Sequence, residues 1–487
     1  MTEPVAGVAV APSLPRARIA RAFSIQLIGR ALGMLASVVS VAMTARYLGP
    51  GRYGQLTIAF VFIGLWASLA DLGVGTVIVR RVTSGRGDLE RLVRVNSGLA
   101  LVYCVPLAAL AAGSGLLIYR DSDVRVMLVV LSGSLLMLTM TTRFEPVFLT
   151  TVRFAAVAIS EVASRLGTLA MVACLVAARA DVIWFAVAQL IPPALQLLIQ
   201  GTAAARHISV RPIFAPREAA DLLRESLPLM AFMVMAFVYG KADGVMLSLL
   251  STHSEVGVYG LATTIAANTA LVSLLFLKST LSMATELFSR AVAAFAGFVR
   301  RSVELMCFVG VPVAVVGALL AGPLIALLGD KAFVPRGTPT LAILFLSAAV
   351  QFVNGVVGQG LIACHQQRFL LQECLAVVVV NVALNLALDG RFGAVGAAVA
   401  LVCTELFAVV ITSWWLHRRC GYRTPVMFLL RVLVPTAPSA AVAVLLSGQH
   451  VILAVTAAAV TYLAASMAIG PVKWSTLASM RGKQAMA

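Results

Sequence analysis

A chain of 487 residues with 61% hydrophobic and only 12% charged residues lies far outside the range of soluble proteins. Its formal net charge of +17 would suit nucleic acid, but the cations sit in short loops between apolar stretches of roughly 20 to 25 residues, the length of a helix crossing a bilayer. Alternating segments of about ten residues are lacking, which excludes a membrane β-barrel.

In chain order, residues 1–22 read as a tail without a cleavable signal, and a first bundle of six spans occupies 23–205, with spans near 23–47, 55–77, 95–118, 125–149, 154–178 and 182–203. A linker follows at 206–223, where Pro216 suits the first turn of an interfacial helix. A second six-span bundle covers 224–420, with spans near 224–250, 256–280, 303–328, 338–363, 368–389 and 393–416. An extra helix pair at 421–471 and a tail at 472–487 complete the chain. The expected fold is all-α and polytopic, with about fourteen transmembrane helices.

The cations alternate between loops. Arg80, Arg81, Arg86, Arg91 and Arg94 follow the second span and Arg418, Arg419 and Arg423 the twelfth, whereas the intervening loops hold few, such as Arg46, Arg52 and Arg120. By the positive-inside rule both termini are cytoplasmic. The seven cysteines lie in or beside apolar spans without CxxC spacing and read as small packing residues, so neither a metal nor another cofactor is expected.

The halves echo one another. Gly51-Arg52-Tyr53-Gly54, between the first two spans, matches Gly257-Val258-Tyr259-Gly260, between the seventh and eighth, at an offset of 206. An even number of spans per half keeps both in one orientation, the parallel-repeat plan in which a transporter's substrate path lies between the halves.

The segment from Ala45 to Gly54, reading ARYLGPGRYG, with Ala70-Asp71-Leu72-Gly73 after it, resembles the opening of the polysaccharide-exporter (Wzx-like) flippases. Val256-Gly257-Val258-Tyr259 and the Gly-Ala run at 393–398 match two later features of that family, whose superfamily also holds the lipid II flippases and the MATE exporters. The resemblance implies two six-helix bundles forming a V. It also implies translocation of an undecaprenyl-diphosphate-linked oligosaccharide from the inner to the outer leaflet of a bacterial inner membrane. Polyprenyl-diphosphate oligosaccharide and membrane lipid are then the partners, with a polysaccharide polymerase a further candidate and nucleic acid excluded. The extra pair departs from the commoner twelve-span exporters, which keeps a lipid II cargo open.

Charges inside spans are costly and tend to face a cavity, so they are the first candidates for binding. Arg30 in the first span shares a small polar face with Gln26, Gly33, Ser37, Ser40 and Thr44, and its planar fork suits a diphosphate; snorkelling to the interface is the bland reading. Asp71 and Asp243 are candidates for a coupling ion or a cavity acid, although Asp71 could equally make a structural hydrogen bond. Lys241 and Asp243, flanked by Gly240 and Gly244, invite a local helix break; two apart, they diverge by about 200° and do not form a self-contained pair. Glu161 and Arg165 have the spacing and order of a same-face ion pair, and Arg165 and Lys278 remain substrate candidates. Gln351 and Asn354 share a face and suit sugar hydroxyls, as do Asn381 and Asn385, though intramembrane amides also join helices. An ion-coupled drug or metabolite exporter is the alternative, but an Arg- and Lys-bearing cavity suits cationic cargo poorly. A glycosyltransferase would need carboxylates on a large outer loop, and these loops are short.

Overall fold

A computed structural model describes residues 16–70, 72–151 and 155–469, with side chains described outside 16–31, Phe232, 236–238 and Leu271. All regular structure among these residues is helical. The first half comprises α1 (Arg16–Ala67), α2 (Val74–Thr83), α3 (Leu89–Ile118), α4 (Ser122–Thr142), α5 (Glu145–Thr151), α6 (Ala155–Ala177), α7 (Val182–Ala188) and α8 (Ile191–Ala205). The second comprises α9 (Pro216–Leu250), α10 (His253–Ala267), α11 (Ala270–Arg290), α12 (Val292–Leu319), α13 (Ala321–Leu328), α14 (Val334–Ala363), α15 (Gln367–Phe392) and α16 (Ala394–Cys420). The pair α17 (Val426–Leu446) and α18 (Val451–Ala468) follows.

Eleven of the described helices are long and apolar enough to cross a membrane, or up to 13 if each of two bent pairs is one span. The expected fourteen further requires α1 to be divided. The 52 residues of α1 contain Gly49 at φ 67°, a backbone open to glycine, followed by Pro50, so two stretches expected as separate spans form one kinked element. Unbroken, it would be about 78 Å long, more than twice a hydrocarbon core.

Other boundaries follow ordinary capping chemistry. Asp88 accepts the Arg91 amide at the start of α3, Asp121 accepts those of Asp123 and Val124 at the start of α4, and Pro216 opens α9 as expected. Gly421, at φ 70°, ends α16. The bend of 51° in α9 separates Pro216–Met235 from Tyr239–Leu250, just before the Gly240–Gly244 segment where a break was expected.

The core is shared at one end of the molecule and divided at the other. At the end bearing Gly49, Ala45, Leu56 and Phe62 pack in one cluster with Val256, Leu261, Phe333 and Ala397 from the second half. At the opposite end the clusters separate. Phe295, Val303, Phe352 and Leu416 form one, while Val77, Ile78 and Val93 gather around Leu222 of α9 in another. Ion pairs from Glu225 to Arg80 and Arg81, and from Glu218 to Arg91, tie the first arm of α9 to α2 and α3. In the added pair, buried Ala443, Ala454 and Ala458 allow close approach, and the Tyr462 hydroxyl donates to the Phe308 carbonyl of α12 at 2.6 Å.

Where α1 and α10 cross, the two copies of the glycine motif meet. A Cβ at Gly54 would lie 1.7 Å from the His253 carbonyl oxygen, and one at Gly257 would lie 2.2 Å from that of Pro50. These contacts are reciprocal if residue 50 corresponds to 253 and 54 to 257, a register of 203 rather than 206. The glycines recur every three residues in both copies of the motif, so a three-residue slip still sets glycine on glycine. The helix starts settle it, because the chain resumes after the breaks at Pro50 and at His253.

Candidate functional site

Among the described residues, two sizeable polar cavities share Ser37 of α1 in their linings. The first, about 470 Å³, lies within the first half between α1, α6 and the α7–α8 segment. The polar stripe of α1 reaches it through Ser37, Ser40 and Thr44. Ser40 and Thr44 donate to the Ala36 and Ser40 carbonyls, which satisfies their hydrogens and leaves oxygen lone pairs free. Arg165 projects over Gly33, where a Cβ would come within 2.8 Å of its Cδ and require the arginine side chain to shift. It meets Glu161 at 3.1 Å, the expected same-face pair, with both side chains about two-fifths exposed.

The second cavity, about 690 Å³, lies between the halves and is lined by α1, α9, α10, α14 and α16. Gly244 lets α9 approach Val61 of α1 closely. Lys241 is exposed at this cavity, and Gln351, Asn354 and Asn268 line it. Asp243 is 4% exposed and makes no ion pair with Lys241; it accepts hydrogen bonds from Asn381 and Asn385 at 2.7 and 2.9 Å and from the Tyr259 hydroxyl at 3.4 Å. Glu405, 3% exposed, accepts from Tyr239 at 2.6 Å and Asn354 at 3.0 Å. One turn beyond Asn385, Asp389 is fully buried, and neither of its carboxyl oxygens, nor Oδ1 of Asn385, has a hydrogen-bond partner among the described residues.

The structure therefore brings Arg165 to the first cavity and Lys241, Asp243, Gln351 and Asn354 to the second. Lys278 is exposed on α11 and lines neither. Asp71 lies outside the described residues, as do the side chains of Gln26 and Arg30. Sequence reasoning missed Tyr239, Tyr259 and Asp389. The last of these was legible: Asn381, Asn385 and Asp389 recur every four residues on one face of α15.

At the Gly49 end, polar side chains at helix ends and near the α1 kink join the halves. Arg46 donates to the carbonyls of Ala326, Leu327 and Gly329 at the end of α13, an inter-half C-cap. Asp121 accepts from Gln55 at 3.0 Å and lies 3.9 Å from the His253 ring. Burial pushes the Asp121 carboxyl up, but the Val124 amide, Gln55, His253 and the Asp123 amide together hold it below the ordinary carboxylate range. Glu255 accepts from the Ala394 amide and meets Arg336 at 3.4 Å.

Comparison with known proteins gives a consistent assignment. Residues 19–283 match the model of a family described as polysaccharide biosynthesis protein. A search of curated proteins finds no match. Among solved structures, the chain is similar to the lipid II flippase MurJ in an inward closed conformation, with TM-score 0.74 and 14% identity over 91% of this chain and 98% of that one. It is also similar to an inward-facing multidrug resistance MATE family transporter, at TM-score 0.63 and 13% identity over 81% and 98% of the two chains. A MATE transporter from Vibrio cholerae follows at 0.55 and 13%, over 83% and 97%. At such identities the structures establish the fold, and the family model covers more than half of the sequence. The chain belongs to the polysaccharide biosynthesis protein family and has the fold of MurJ and the MATE transporters.

Proposed function

We propose that this transporter flips an undecaprenyl-diphosphate-linked oligosaccharide from the inner to the outer leaflet by alternating access. It would act in a bacterial inner membrane with both termini cytoplasmic, the Gly49 end facing outward, and would supply cell-surface polysaccharide synthesis and its polymerase. The carrying observation is a pair of polar cavities meeting at α1, one bearing Arg165 and the other Lys241 among amides. Cations suit the diphosphate, amides and hydroxyls suit sugars, and the apolar exterior suits the polyprenyl tail. The divided core at the linker end fits a state that accepts cargo from the inner side. Arg30 and Gln26, on the same α1 face, would extend this cationic path.

Asp243 is the proposed seat of the coupling cation, with Asp71 a second acid. Unpartnered carboxyl and amide oxygens on Asp389 and Asn385 beside it favour a cation or proton there. The test is transbilayer movement of a labelled polyprenyl-diphosphate oligosaccharide in reconstituted vesicles. Movement no faster than in empty vesicles refutes the reading, and preferential movement of lipid II redirects it to that cargo. Arg30→Ala and Arg30→Lys separate charge from bidentate geometry: loss in both supports the fork, and loss in alanine alone supports charge.

A further inference from the structure

The cavity of the first half has a lining that the diphosphate does not explain. Three helices each present a stripe of uncharged hydrogen-bonding side chains at helical spacing. These are Ser37, Ser40 and Thr44 on α1; Ser160, Ser164 and Thr168 on α6; and Gln189, Gln196 and Gln200 along the α7–α8 segment. Such stripes ordinarily join helices inside membranes. Here they surround about 470 Å³ of space, within the range of ligand pockets. Gln200 donates to Ser160 at 2.9 Å, but Gln189 and Gln196, both partly buried, make no side-chain hydrogen bond among the described residues. Each carries two donors and an acceptor open to the space. Arg165, paired with Glu161, is the one cation lining this chamber among the described residues, and the uncharged stripes lie beside it.

A neutral ligand dense in both donors and acceptors meets these terms, and a polyhydroxyl ring is such a ligand. We infer that the uncharged stripes of this chamber form a subsite for the sugar rings of the cargo, beside the cations that hold the diphosphate. The inference rests on the flippase reading above and adds a division of labour: the uncharged stripes measure the glycan, while Arg165 and Lys241 anchor the phosphates. Phe60, on α1 beyond its kink, also lines the chamber and adds aromatic surface to it.

The experiment uses full-length protein in vesicles with two cargoes on the same polyprenyl diphosphate, one bearing a single sugar and the other an oligosaccharide. In the double variant Gln189→Leu, Gln196→Leu, oligosaccharide flipping falls about tenfold, the factor that two ordinary hydrogen bonds are worth, while single-sugar flipping stays within about twofold. The Gln196→Asn variant, which keeps the amide, falls in between. Equal loss for both cargoes, or no loss for either, overturns the subsite. If wild-type protein moves neither cargo, the flippase reading fails on its own. The subsite is then decided by calorimetric titration with lipid-free oligosaccharide. Saturable binding that weakens about tenfold in the double variant sustains it, and binding that is absent or unchanged by the variant overturns it.

Discussion

The substitution Gly257→Ala adds one methyl group where α1 and α10 cross. Its carbon would stand 2.2 Å from the Pro50 carbonyl oxygen and 2.9 Å from the Gly54 nitrogen, both backbone atoms that no rotamer change can move aside. Restoring ordinary contact at about 3.4 Å requires the halves to part by roughly 1.2 Å at this end. Overpacking of this kind costs about 1 to 3 kcal/mol, and the cost falls only on the state in which the crossing is closed. A central value of about 2 kcal/mol moves the equilibrium toward the opened state by about thirtyfold. The assay is labelling of Thr263→Cys, in the cavity between the halves, by a membrane-impermeant maleimide applied from the Gly49 side, with the seven native cysteines replaced. Gly257→Ala should accelerate labelling at least tenfold. Gly51→Ala should leave it unchanged, because a Cβ there meets nothing within 4 Å. A lowered melting temperature without faster labelling would refute the reasoning and make the crossing a packing contact rather than a gate.

Further expectations address single groups. Arg165→Ala should slow diphosphate-cargo flipping about tenfold with little change in melting temperature, since a pair so exposed to the cavity contributes under about 1 kcal/mol; a melting shift that accounts for the lost activity would argue for a structural role. Asp243→Asn should make flipping indifferent to an imposed proton or sodium gradient, and persistence of the gradient response would remove Asp243 from the coupling site. The depressed Asp121 carboxyl gives a stability term present above its ordinary value of 3.8 and lost as pH falls through its lower folded value. Thermal unfolding of the purified protein should therefore decline on acidification below about pH 4, and Asp121→Asn should flatten that decline; an identical acid profile in the variant would discount the loop contact.

Span lengths, the membrane solvent and the polar stripe of α1 were legible in the sequence because each depends on spacing along a single helix. The same holds for Glu161 and Arg165, whose pairing needs only a four-residue step. What spacing could not supply was which helix faces which. Lys278 resembles Lys241 in sequence context, yet α11 turns it away from both cavities. Tyr239 and Tyr259 read as ordinary apolar residues until tertiary packing sets their hydroxyls against Glu405 and Asp243. The span count depended on how the chain behaves at Gly49, where one positive φ value decides between a single long element and two arms.

The reciprocal contact of Gly54 and Gly257 has an evolutionary consequence. In a chain that doubled and then folded back on itself, most positions became two independent positions and were free to drift apart. A residue on the local axis of the doubling meets its own counterpart, so a side chain gained in one copy must be accommodated by the other. Divergence there is a two-step path through a misfitting intermediate, which holds glycine at both positions.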